Sequence, residues 1–150
     1  MMDVEIAYET AFAYARGIDI PRFNVPPTLD ELEESLASNP HYAYLYAKRV
    51  LKKRFIRGEM MISTNSRTSL LYAIYVMNGR FELGESAIAT FADDAIDYAI
   101  LIKGRFKMGE PVIRYRDRSI IDYVNAANEG NWEGCENLFL ELCGENSPQR

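Results

Sequence analysis

A tyrosine, an arginine-aromatic pair ending eight or nine residues on, and a glutamate four beyond the aromatic recur along this chain at nearly constant spacing. The copies align on Tyr14, Tyr46, Tyr72, Tyr98 and Tyr123, at intervals of 32, 26, 26 and 25 residues, with the aromatic at Phe23, Phe55, Phe81, Phe106 and Trp132. Arg22, Arg54, Arg80 and Arg105 precede the aromatic, and Asn131 takes that place in the last copy. The carboxylates are Glu59, Glu85, Glu110 and Glu136, followed three residues later by Ile62, Ile88, Ile113 or Phe139. From each of those isoleucines to the next tyrosine is ten residues. Glu33 and Leu36 stand in the same arrangement before Tyr46, so the longer first interval reflects a six-residue insertion near residues 24–30, around Pro26 and Pro27. A fixed period of this length marks supersecondary units that stack on one another.

Within a copy, Leu70, Ala73, Ile74 and Met77 fall on one helical face. Asn39 before Pro40 supplies an N-cap and a first-turn proline for the helix carrying Tyr42, Tyr46 and Val50, and Thr28 with Glu31 forms a capping box for the helix before it. Gly79, Gly104 and Gly130 stand where a left-handed helix stop is expected, a position taken by Lys53 in the second copy. Each unit therefore reads as a helix of about 13 residues, a corner at Arg-Phe, and a short helix opening near Gly58-Glu59, Gly84-Glu85 or Gly109-Glu110. One such pair cannot bury both of its apolar faces, so neighbouring pairs must pack together. The expected fold is all-α: a helical-hairpin repeat array, or short α-solenoid, of about five units of 25–26 residues. It occupies residues 1–143 as a single domain, with the last copy as a terminal cap and residues 144–150 as a flexible tail.

The longest apolar run, Leu70 to Met77, is eight residues, well below the roughly 18 needed for a membrane span. The N-terminal stretch has no basic start followed by an apolar run, so a cytoplasmic setting is expected. Cys135 and Cys143 on one helix would be separated by roughly 12 Å of rise, too far for a disulfide.

The recurring Arg and Glu admit two readings. Either the glutamate sits in the first turn of the short helix and the arginine bonds it or an exposed carbonyl of the preceding helix end, or Arg54, Arg80 and Arg105 form a ladder that grips phosphates or carboxylates of a partner. Paired-metal chemistry is disfavoured, because copies about 10 Å apart cannot hold two ions roughly 4 Å apart. Asp93, Asp94 and Asp97 read as acids complementing a helix N-terminus, with a hard-cation site as the lesser alternative. His41 is the only histidine and reads as surface; no nucleophile-base set can be assembled and no glycine-rich phosphate loop is present. Between Lys48 and Arg57 lie six cations, Lys48, Arg49, Lys52, Lys53, Arg54 and Arg57. They form a solvated face opposite Asp30, Glu31, Glu33 and Glu34, a nucleic-acid patch extended by Lys103, Arg105 and the basic residues of 114–118, or a surface for an acidic protein. Phe55, Phe81, Phe106 and Trp132 read as core plugs rather than as stacking platforms for bases.

The copy from Tyr98 to Glu110 resembles a tandem repeat of phage-encoded and some bacterial proteins, of the form Tyr-Ala, an aliphatic residue, Lys-Gly-Arg, Phe or Trp, two variable residues, then Ala or Gly before Glu. The resemblance covers roughly residues 9 to 143 and implies a helical-repeat scaffold of viral origin with no general enzymatic activity. Together these readings lead to a non-enzymatic protein-binding scaffold, an inhibitor or adaptor acting on a host protein, with no catalytic residue, metal or cofactor. Its candidate binding residues are Arg54, Arg80, Arg105, Lys52, Lys53 and Arg57. Tyr46, Tyr72, Tyr98, Phe55, Phe81, Phe106, Trp132, Glu59, Glu85 and Glu110 carry the repeat. The alternatives are a nucleic-acid-binding helical-repeat module using residues 48–57 and, third, a structural virion component.

Overall fold

The computed structural model describes residues 1–113, 119–129 and 132–144, without the side chains of Ser119 and Trp132, and every regular element among them is helical. Helix α1 (Val4–Ala15) opens on Asp3, whose carboxylate accepts from the backbone N–H groups of Glu5 and Ile6. Helix α2 (Leu29–Ala37) opens on the Thr28/Glu31 capping box, and α3 (Pro40–Leu45) on Asn39 with proline in its first turn, both as the sequence leads one to expect. Then follow α4 (Ile56–Ile62), α5 (Ser66–Tyr72), α6 (Glu85–Ile88), α7 (Ala92–Ile102), α8 (Glu110–Ile113), α9 (Ser119–Ala127) and α10 (Trp132–Gly144). Single 3₁₀ turns at Glu82–Gly84 and Lys107–Gly109 lead into α6 and α8. Helices α3, α5, α7 and α9 each contact the next, and α3, α5 and α7 each pack on the short helix that follows.

Two long helices are not α-helical to their ends. Helix α3 continues as a π-helical segment, Tyr46–Leu51, and α5 as another, Ala73–Met77, whereas α7 stays α-helical throughout. The sequence contains the reason. Tyrosine and aromatic are nine residues apart in those two copies but eight apart between Tyr98 and Phe106, and a π turn absorbs one extra residue while keeping the two rings in register.

The helix stops correct the sequence reading by one position. The left-handed residues are Lys52 (φ 54), Asn78 (φ 50), Lys103 (φ 51) and Glu129 (φ 49), each just before the position assigned to glycine. At α7 the Lys103 N–H bonds the Ile100 carbonyl and the Gly104 N–H bonds the Ala99 carbonyl, so Gly104 is the second residue past the helix rather than the left-handed one. Lys53 is tolerated for the same reason: the equivalent Gly79 does not need positive φ, and a Cβ there would meet nothing within 4 Å. Gly130 lies outside the described residues.

Repeat residues make up much of the core. Tyr46, Tyr72, Tyr98 and Tyr123 are essentially inaccessible, as are Phe81, Phe106, Leu36, Ile62, Ile88 and Ile113, with Phe55 nearly so. Tyrosine and phenylalanine of one copy meet at centroid distances of 5.0 Å (Tyr46 and Phe55), 4.9 Å (Tyr72 and Phe81) and 4.9 Å (Tyr98 and Phe106), in tilted or edge-on geometry favoured by the ring quadrupoles. Each phenylalanine ring lies against the glycine three residues on, which in turn lies against a small residue of the long helix: Gly58 on Ala43, Gly84 on Ser69, Gly109 on Ala95.

The first copy departs from this pattern. Tyr14 is exposed, Phe23 is only half-buried, and Arg22 pairs with Glu9 at 3.0 Å rather than with a following glutamate. Helix α1 ends before Gly17, whose φ of 69 breaks it. At the other end Gly144 belongs to α10, and the rest of the expected tail, with Asn131 and the Trp132 side chain, lies outside what is described.

Candidate functional site

The corners after α3, α5 and α7 carry the same cluster. Gly-Glu opens or enters the short helix, so the carboxylate lies in its first turn, and the arginine five residues earlier reaches it from the corner. Arg54 Nε donates to Glu59 Oε1 at 2.7 Å and its Nη2 to Oε2 at 2.8 Å, a bidentate ion pair. Arg80 donates twice to Glu85 Oε1, at 3.0 and 2.7 Å. Arg105 holds Glu110 through Nε and Nη2 and also reaches Glu141 on α10 at 2.7 Å.

A third member comes from the next copy. The Tyr72 hydroxyl donates to Glu59 at 2.7 Å and accepts from the Phe55 backbone N–H at 2.9 Å. Tyr98 does the same with Glu85 (2.7 Å) and Phe81 N–H (2.9 Å), and Tyr123 with Glu110 (2.6 Å) and Phe106 N–H (2.9 Å). Tyr46 donates to Glu33 at 2.9 Å. Tyr72 and Tyr98 are therefore staples between copies, packed on Phe81 and Phe106 of their own units and hydrogen-bonded to the glutamate and backbone of the one before. This role escapes a reading that pairs only Arg with Glu; its signal is the constant interval of 13 residues from Glu33, Glu59, Glu85 and Glu110 to the following tyrosine.

The electrostatics suit a lock rather than a reactive group. Burial pushes the Glu59 carboxyl up, but the hydrogen bonds from Arg54 and Tyr72 and the Arg54 charge outweigh it, leaving its pKa below the ordinary carboxylate value. Burial, then the neighbouring carboxylate, raises the hydroxyls of Tyr46, Tyr72, Tyr98 and Tyr123 far above the ordinary phenol value, so they remain protonated donors. Arg54 and Arg80 are about half exposed, 51% and 55%, so each closes its corner from the solvent side.

The basic strip does not act as one face. Arg54 is engaged by Glu59, Arg57 bonds Asp30 at 2.7 Å, and Lys48 Nζ lies 3.7 Å from the Tyr75 ring centroid. Of the acidic helix, only Asp30 is so engaged among the described residues. Arg49, Lys52 and Lys53 are exposed and have no ion-pair partner among the described residues. The proposed extension through 114–118 lies outside them. Asp94 is buried, accepting from Ser66 Oγ at 2.6 Å and Arg67 Nη1 at 3.1 Å, so it ties α7 to α5. No group of three or more His, Cys, Asp or Glu among the described residues is arranged to hold a metal ion, and His41 is exposed with its ring edge-on to Tyr42. Among the described residues no helix is long and apolar enough to cross a membrane.

Between α7 and α9 an open groove of about 580 Å³ is lined by Ile100, Lys103, Asp122, Asn125, Ala126 and Glu129. Comparison with protein-family models, with curated proteins and with solved structures finds no match to this chain.

Proposed function

We propose that the chain is a non-enzymatic scaffold that binds another protein along the exposed face of its long helices. In this reading residues 1–143 form one short α-solenoid of helix pairs, a reading supported by the recurrence of the same staple at three successive boundaries. The observation that carries the functional part is the engagement of the staple groups. Glu59, Glu85 and Glu110 are each held by an arginine and a tyrosine of the same chain, which favours a structural use of the most strongly patterned polar residues over catalysis or phosphate gripping.

Recognition is then left to what the long helices present outward. Tyr75 and Ile100 are more than half exposed on α5's π extension and on α7, and the groove beside Ile100 places Ile100 and Ala126 between Lys103, Asp122 and Glu129. An apolar centre within a charged rim is the usual composition of a protein interface.

The test is capture from host extract with a photo-crosslinking residue in the α7/α9 groove, comparing Ile100→Glu with Ile56→Glu, which changes a somewhat more exposed isoleucine on α4. A partner that is lost only in Ile100→Glu, and that survives nuclease, supports the reading. Capture indifferent to Ile100→Glu, or abolished by nuclease, overturns it.

A further inference from the structure

The corner after α3 differs from its siblings in charge but not in backbone. Lys52, Asn78 and Lys103 are all left-handed, with φ of 54, 50 and 51, and the following residues are Lys53, Gly79 and Gly104. The last turn of the first π segment contains Lys48 and Arg49, whereas the second π segment has no basic residue in its last turn and closes on Asn78 and Gly79. The helix end therefore does not require cations at this corner, although they complement its carbonyls. A lysine in the left-handed region is in fact less favourable than the glycine or asparagine that suits it.

A further cation is brought to the same place from α1. Arg16 caps that helix and lies over the Phe12 ring, its guanidinium carbon 4.0 Å from the centroid, a contact that holds the planar group while leaving its edge N–H donors available. Arg16, Arg49 and Lys52, with Phe12, Ala15 and Val50, line one crevice of about 190 Å³. No carboxylate lines it, and among the described residues none of the three cations has an ion-pair partner. Like charges gathered without a counter-ion are unfavourable unless an anion joins them.

We propose that this crevice between α1 and the end of the first π segment binds a phosphate-class anion, with Arg16 and Arg49 forking its oxygens and Lys52 adding a point charge. Its volume is below the roughly 300 Å³ at which drug-sized pockets begin, so it takes one or two phosphoryl groups rather than a nucleobase or a sugar. Planar guanidinium groups match phosphate oxygens bidentately, which favours this ligand class over a simple halide.

The experiment is a titration of the whole chain with pyrophosphate, followed by NMR of the backbone and arginine side-chain signals. The Lys52→Asn/Lys53→Gly variant reproduces the Asn78-Gly79 corner and so keeps the fold, and Arg49→Gln is the second variant. Saturable shifts centred on Arg16, Arg49 and Lys52, weakened at least tenfold in both variants with no loss of thermal midpoint, are the expected result. Absence of saturation, or affinity unchanged in the variants, overturns the site. A competing oligothymidylate identifies the source: displacement of pyrophosphate assigns the phosphate to a nucleic-acid strand, and lack of displacement assigns it to a free anion.

Discussion

The Tyr72 hydroxyl sits between two groups of the preceding copy, donating to the Glu59 carboxylate at 2.7 Å and accepting from the Phe55 backbone N–H at 2.9 Å. One oxygen thus satisfies a buried charge and a buried donor, while Arg54 neutralises the same carboxylate from the solvent side.

Tyr72→Phe removes that oxygen without opening a cavity and leaves both partners short of a bond in a buried place. A loss of about 1 to 3 kcal/mol is expected from urea denaturation. Tyr46→Phe should fall at the low end, because the Tyr46 hydroxyl donates to Glu33 with no second bond to a backbone N–H among the described groups. Equal losses at the two sites would show that the backbone bond adds nothing.

The glycines divide into two kinds that an alanine scan separates. Gly84→Ala would bring a Cβ to 2.6 Å from the Phe81 ring and 2.7 Å from Ser69, forcing apart the short and long helices. Overpacking of this kind costs about 1 to 3 kcal/mol. Gly79→Ala meets nothing within 4 Å at ordinary φ and should be neutral or stabilising by up to about 1 kcal/mol. Thermal midpoints of the two variants should move in different directions or differ by several degrees.

Lys103→Gly places the residue without a Cβ at the left-handed position itself. Relief of about 1 to 2 kcal/mol of backbone strain exceeds the extra chain entropy of roughly 0.5 to 1 kcal/mol that glycine loses on folding. A modest gain in denaturation midpoint is expected; a loss would mean that the Lys103 side chain contributes more than its backbone costs.

Deletion of Tyr75 leaves Tyr-Ala-Ile-Val-Met-Asn-Gly-Arg-Phe from residue 72, which matches Tyr98 to Phe106 position for position. The π segment should revert to an α-helix like α7, with the Tyr72 staple intact and a loss within the usual 0.5 to 3 kcal/mol of a single change, of which about 0.5 to 1 kcal/mol is the contact between Lys48 and Tyr75. Circular dichroism with denaturant titration reads this out, and collapse of the cooperative transition would refute the reading of the π segment as one extra residue absorbed in this copy.

Glu59 has its folded-state pKa depressed, so its contribution to stability is present above the unfolded carboxylate pKa of about 4.3 and is lost as pH falls through the lower folded value. Between pH 5 and 2 the midpoint of Glu59→Gln should therefore fall less steeply than that of the native chain. Parallel acid limbs in the two proteins would count against the ion pair as a source of acid lability.

Recurrence along the chain was enough to establish helices, the burial of Phe55, Phe81 and Phe106, and the starts of α2 and α3, because each depends on local spacing or on a cap within one turn. It also put the Arg and Glu of each corner five residues apart around one bend, and the structure decided that the arginine bonds the glutamate. Only the tertiary structure decided the rest. The bond from Tyr72 to Glu59 exists because α5 packs against α4, the left-handed turn falls on Asn78 rather than Gly79 because one residue turns a helix by about 100°, and Tyr14 drops out of the core although it shares the spacing. Arg16 meets Arg49 and Lys52 for the same reason: α1 packs on the end of a helix more than thirty residues away, a proximity that no periodicity encodes.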